Sequence, residues 1–538
     1  MRQAGDFIRI MRCSVFNPRV IVLLTVGIPC VSKAQASESS AGAANRQAIV
    51  SRIDELLADG WRTAQVKPAP ISDDAEFLRR AYLDLIGRIP RVSECRAYFT
   101  DTSANRREQL VDQLTRRPSH ATQLTNTWRR FLLPEGTDLE RLGGIAFFET
   151  WLRGRFAENI PYDRLVFELL TADGANDQPG ASLFFTAWEL KPEKLAASTS
   201  RSFLGVQLQC AECHDHPFDR WSQRDFWGYA AFFSRLVPAQ QNGQLVTEFR
   251  EVNFGEATIP DTDQKVAPQY LGATSPETET VNSRRWLLAT WLTSRDNPYF
   301  AQATVNRVWS VLFGRGLVQP AYDMGGHNLP SHPQLLRELS DYFVASDYDL
   351  RELLTTLAST RAYHLSSITD KEASSTPPEL FARMSVKPMS AEQLYDSLAV
   401  ATCRIQQVQT GGPTFGANRV LDQARQTFLN AFQTPSAEGL DYRAGVPQAL
   451  SLMNGQLTAD GADATRSDLL ASLDAPFFDD HQRLTIVFLA TLSRYPTELE
   501  IAHCQAHLSS FTDTAERRQA LSDVFWALLN SAEFTLNH

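Results

Sequence analysis

Gln207-Leu-Gln-Cys-Ala-Glu-Cys-His-Asp-His-Pro-Phe-Asp-Arg-Trp-Ser-Gln-Arg-Asp-Phe-Trp-Gly-Tyr-Ala-Ala-Phe-Phe233 carries a chemical signature and a folding signature side by side. Cys210 and Cys213 stand three apart with His214 directly after, and His216 follows two residues later. This is the spacing of covalent haem attachment, in which two thiols one helical turn apart reach the vinyl groups and the adjacent imidazole faces the iron. Ser222-x-x-Asp225 then reads as a capping pair that opens a helix. In that helix Phe226, Trp227, Tyr229, Ala230, Phe232 and Phe233 make nearly every side apolar, so it has to be buried. An ordinary core would cover it, and so would a flat apolar group such as a porphyrin.

Working outward, a helix over 193–204 delivers the chain to the motif. Earlier helices are expected at 46–61, from the Asp73-x-x-Glu76 capping pattern to about 85, and at 105–115, 121–132, 147–156 and 161–170. Arg79, Arg80 and Asp84 on the second of these read as a salt-bridged outer face. Beyond the motif the periodicity changes. Val246-Thr-Glu-Phe-Arg-Glu-Val-Asn-Phe254 alternates apolar and polar residues and predicts a strand, with 257–260 as its partner. Helical patterns resume at 284–292 and 300–313, where Asn306 and Arg307 among apolar neighbours imply a polar network satisfied internally. More follow at 332–345, 350–360, 391–403, 421–432, 446–453, 485–492, 498–508 and 515–529. The predicted class is mainly α: two helical domains, 46–236 and 281–538, joined by a short β-containing segment at 237–280.

Residues 1–36 read as an export signal, with Arg9, Arg12 and Arg19 before the apolar run 20–28 and Ala34-Gln35-Ala36 as a cleavage site. Met11 is an alternative start, and 37–45 reads as a disordered, solvated leader. The expected location is periplasmic or extracellular. Without the signal, 47 basic residues face 61 acidic ones, a net charge of −14 from the 52 and 62 of the whole chain. That balance argues against nucleic acid as a partner. No later apolar stretch is long enough to cross a membrane. Five cysteines remain, too few for a disulfide-built scaffold, and only Cys210 and Cys213 are close in sequence. Nucleophile elbows, His-Glu-x-x-His and phosphate-binding glycine loops are not found.

Several stretches resemble one family. Arg79-Arg-Ala-Tyr-Leu-Asp-Leu-Ile-Gly-Arg-Ile-Pro90 and the run from Cys210 to Phe233 are similar to the first of two domains found together in exported planctomycete cytochrome-c-like proteins. Asn297-Pro-Tyr-Phe-Ala301, Val305-Asn-Arg-Val-Trp309, Phe313-Gly-Arg-Gly-Leu317, Pro330-Ser-His-Pro333 and Leu492-Ser-Arg-Tyr-Pro-Thr497 are similar to the second. Both domains are known mainly as domains of unknown function, and the cytochrome label rests on the same Cys-x-x-Cys-His pattern. Relatives often carry a separate cytochrome module and cysteines after Phe432. No such module is visible here, and the region directly after Phe432, 433–445, has no cysteine.

Three readings of the motif stand side by side. In the first, Cys210, Cys213 and His214 bind haem c in an exported electron carrier with a redox partner protein, or in the redox subunit of an oxidation. The sixth ligand would be Met324, His327 or His216. In the second, Cys210, Cys213, His214 or His216 and a carboxylate such as Asp215 or Asp219 hold zinc without haem, in a metal-dependent hydrolase or an extracellular polymer-binding protein. In the third, the cysteines close a local disulfide. The helical pair His503 and His507 beside Cys504 reads as a solvated helix end.

Overall fold

Asp73 accepts a hydrogen bond from the Glu76 N–H and so starts the helix around which the molecule is packed, α2 (Asp74–Ile86). Gly87, at φ 77°, ends it in the left-handed conformation that glycine adopts without strain. The computed structural model describes residues 31–134, 144–173, 180–238, 249–275, 283–368, 376–404, 419–432, 452–453 and 455–538. Most of the signal expected at 1–36, residues 1–30, and most of the helix expected at 446–453 lie outside these. Helix α1 (Val31–Thr63) precedes α2 and takes in 37–45, so the backbone read as a disordered leader is helical. Its Ala, Gln and Glu content favours that state. Residues Gln47–His538 form one compact unit.

The mainly helical class holds. After α2 come α3 (Val92–Thr100), α4 (Arg106–Thr115), α5 (Pro118–Leu132), α6 (Ile145–Ala157), α7 (Tyr162–Thr171), α8 (Leu183–Ala187) and α9 (Pro192–Thr199). A π turn, Ser200–Leu204, continues α9, and a 3-10 turn, Leu208–Glu212, leads into α10 (Gln223–Ala230). The second half holds α11 (Arg284–Leu292), α12 (Phe300–Phe313), α13 (Pro333–Ala345), α14 (Leu350–Ala358), α15 (Arg361–His364), α16 (Ala391–Ala401) and α17 (Arg419–Phe432). Helices at Asp480–Leu492, Glu498–Ser509 and Thr514–Leu529 follow near the end of the chain.

The expected β segment is there, with different pairing. Strand β1 (Leu236–Pro238) pairs antiparallel with β2 (Phe249–Glu251), and β3 (Ala257–Thr258) with β4 (Lys265–Val266). The alternating run therefore finds its partner upstream, at the end of the aromatic helix's own segment, not at 257–260. The apolar core crosses this segment: Tyr162 stacks on Phe300 at 5.5 Å, Phe185 meets Phe249 at 5.0 Å, and Phe77 meets Tyr363 at 6.2 Å.

Arg79, Arg80 and Asp84 are a correction. They are not an outer face but are buried, because α2 is enclosed on nearly all sides. Arg80 Nη2 donates to Glu76 Oε1 at 2.6 Å, and its Nη1 to Tyr363 O and Leu365 O. Arg79 donates to Thr491 O and Phe534 O. Asp84 accepts from Lys387 Nζ at 2.7 Å, Asn537 Nδ2 at 2.7 Å and Tyr363 O–H at 2.9 Å. Charges removed from water have to be matched in this way to be tolerated. The match ties an early helix to the last residues of the chain.

Candidate functional site

The 3-10 turn Leu208–Glu212 buries Leu208 and Ala211 and turns Cys210 outward. Cys213 follows one turn later, and both are exposed free thiols. Three residues per turn put positions i and i+3 on one side, so the two thiols share a face. His214 is exposed next to them, and its Nδ1 lies 2.8 Å from Asp215 O. Nδ1 can therefore carry the proton and donate, which leaves the Nε2 lone pair open.

What holds this turn is α10. Ser222 and Asp225 form the expected capping box. Asp215 Oδ1 accepts from the Gln223 N–H at 2.9 Å, adding a carboxylate at the helix N-terminus. Gln223 Nε2 donates to Cys213 O at 3.0 Å, and Trp227 Nε1 to Glu212 O at 3.0 Å. Phe226, Tyr229, Phe232 and Phe233 are fully buried in the protein core, so the aromatic helix is covered by its own chain. Burial, with Glu193 nearby, raises the Glu212 carboxyl above its usual range.

The carboxylates and histidines expected as ligands have other tasks. His216 Nδ1 accepts from the Phe218 N–H at 3.2 Å and the Asp219 N–H at 2.9 Å, which shapes the loop and leaves the proton on Nε2. Asp219 Oδ1 accepts from the Arg220 N–H, and Asp215 is the cap just described. Among the described residues no group of three or more His, Cys, Asp or Glu is gathered to hold a metal ion. In the zinc set expected from Cys210, Cys213, His214 or His216 and Asp215 or Asp219, one oxygen of each carboxylate and Nδ1 of His216 already accept from backbone N–H groups.

Residues from the second half of the chain converge on the motif. His327 stacks on His216 at 6.1 Å with the rings tilted by 29°, lies near Phe218 at 6.4 Å, and its Nε2 donates to Asp323 Oδ2 at 3.1 Å. Gly325 makes the approach feasible, because a methyl there would collide with Asp219 Oδ2 and sit 2.8 Å from His327 Nδ1. The Met324 N–H donates to Gly205 O at 2.7 Å, and the Met324 sulfur fills the space a side chain at Gly205 would need. Arg220 donates to the Tyr299 hydroxyl at 2.5 Å. Asn306 clamps the same loop, donating to Val318 O and Ala321 O and accepting from the Val318 N–H, as expected of a buried amide. His332 is elsewhere, against Gly60 and Phe381. His503 and His507 are exposed, in keeping with a solvated helix face.

The sequence offers Met324 and His327 as candidate ligands without placing them near the motif, and gives no hint of Gly205, Gly325 or Tyr299 as contacts of this region. The Asn297-Pro-Tyr and Asp323-Met-Gly-Gly-His runs were the available signal. Residues 52–237 match a family model described as a protein of unknown function (DUF1549), and residues 284–508 match another, also described as a protein of unknown function (DUF1553). Searches of the curated proteins and of the solved structures found no match. The thiol turn and the loop that packs on it thus fall in different family models, and the chain carries the two in tandem, DUF1549 first and DUF1553 second.

Proposed function

We propose that this is an exported c-type haem protein of the cytochrome-c-like kind, with one haem on Cys210 and Cys213 and His214 as axial ligand. It serves electron transfer or the redox half of an oxidation. The observation that carries the reading is His214: its Nδ1 is engaged with Asp215 O at 2.8 Å beside two exposed free thiols, so its Nε2 is available. An imidazole that ligates a metal almost always donates its other N–H to a carbonyl or carboxylate, which fixes the tautomer. The donor set fits attachment and one axial position. When bound, the haem supplies one-electron iron chemistry. The chain's own part is to hold the turn rigid, through Gln223 and Trp227 on the carbonyls of Cys213 and Glu212.

Of the three candidates that would hold the iron with His214, His216 is the weakest, because its Nδ1 is an acceptor and its Nε2 keeps its proton. His327 retains a free Nδ1, and Met324 is packed on Gly205. Intact-mass analysis of protein made with haem-maturation factors tests the proposal. The expected mass is the chain plus one haem, lost in C210A/C213A, and a bare-chain mass overturns it. A local disulfide is the second reading, favoured by two thiols sharing one exposed face. Free thiols at both positions in denatured, unreduced protein would remove it.

A further inference from the structure

Most buried guanidinium groups in this protein are matched: Arg80 by Glu76, Arg284 by Glu256, Arg285 by Glu251, and Arg79 by carbonyls of two segments. Buried Arg307 and half-buried Arg201, which meet through the Arg201 carbonyl, are not. Arg307, on α12, is 6% exposed, and its guanidinium makes one hydrogen bond to the described residues, from Nη2 to Arg201 O at 3.1 Å. Its Cζ sits 4.4 Å from the centre of the Phe131 ring. Arg201, on the π turn, has no ion pair or side-chain hydrogen bond among the described residues, and its Cζ lies 5.7 Å from the Tyr322 ring centre. Burial, with a smaller contribution from the Arg201 charge, lowers Arg307 to about 10.

Two like charges side by side in a partly dehydrated place are unfavourable without a counter-charge. The aromatic rings offset part of this and hold the guanidinium planes. Arg307 Nε and Nη1 have no hydrogen-bond partner among the described residues. A planar fork of donors without an acceptor matches the oxygens of a carboxylate or of a tetrahedral oxyanion.

We propose that Arg201 and Arg307 form an anion-binding site, between α5, the π turn, α12 and Tyr322, for the oxyanion group of a small ligand: a carboxylate, a sulfate or a phosphate. The site is independent of the haem reading, since neither arginine belongs to the thiol turn. Its floor, the π turn, nonetheless leads straight to Gly205 and the motif.

Equilibrium dialysis of the full chain against labelled inorganic phosphate, at constant ionic strength in chloride, tests it, with unlabelled sulfate and acetate as competitors. The expected result is saturable binding that weakens on the order of tenfold or more in R201Q and in R307M, the loss of a charge-assisted contact. Stronger competition by sulfate than by acetate marks a tetrahedral ligand, and the reverse marks a carboxylate. Binding in the wild type that is not saturable, or equal binding in R201Q, overturns the proposal. R201Q removes a partly exposed side chain that touches only a ring, so it keeps the test decisive where R307M fails to fold.

Discussion

Cys95 and Cys210 carry the same atom in opposite settings. Cys95 is fully buried, and burial pushes its thiol up to about 12, whereas Cys210 and Cys213 are exposed. Since the thiolate is the reactive form, an alkylating agent added to folded, haem-free protein should label Cys210 and Cys213 well before Cys95. Peptide mapping of timed samples checks this, and early label on Cys95 would contradict its burial. His120 makes a pH prediction. Its Nδ1 lies 2.7 Å from Leu85 O, and burial lowers it from 6.5 to about 4. Between those pH values the unfolded chain binds the proton and the folded chain does not. The stability from His120 is therefore complete above pH 6.5 and is lost as pH falls toward 4. The full effect is roughly 3 kcal/mol. Urea midpoints measured from pH 7 to 4 should fall less steeply in H120Q, and an unchanged slope would exclude His120 as a source.

Helix α10 shows how far local signals reach. Its capping box is written in four consecutive residues, and so the start at Gln223 was legible. S222A should cost about 1 kcal/mol. It should also speed amide exchange at the start of α10, where the Gln223 N–H bonds to Asp215, and normal protection there would separate the cap from the thiol turn. F232A, in a fully buried position, should cost about 3–5 kcal/mol by chemical denaturation. α11 and α12 were legible for the same reason: a cap or glycine stop bounds a periodic run. Where partners are remote, the reading failed. Nothing near Arg79 announces Thr491 or Phe534, and nothing in the alternating run before Phe254 announces Leu236.

At the scale of the molecule, the apolar core belongs to both halves of the chain, so neither should fold alone. A fragment of residues 47–237 would expose Tyr162, Phe185 and the parts of α5 and the π turn that α12 covers. It is expected to bind a hydrophobic dye and lack cooperative melting, while 47–538 melts in one transition. A sharp transition in the short fragment would show a separable domain. The candidate site was legible as chemistry, since Cys210, Cys213, His214 and His327 are conspicuous residue types. Its assembly was not, because the contacts of Met324 with Gly205 and of His327 with His216 span more than a hundred residues of chain. The π turn Ser200–Leu204 sets the position of all of this by holding one residue more than an α-helical path would. Deleting a single residue there would restore the α-helical path and swing everything beyond it by about 100° around the helix axis. The placement of the thiols is therefore a matter of counting: a substitution in this turn can be absorbed, but a change of length would turn the motif away from the loop that meets it.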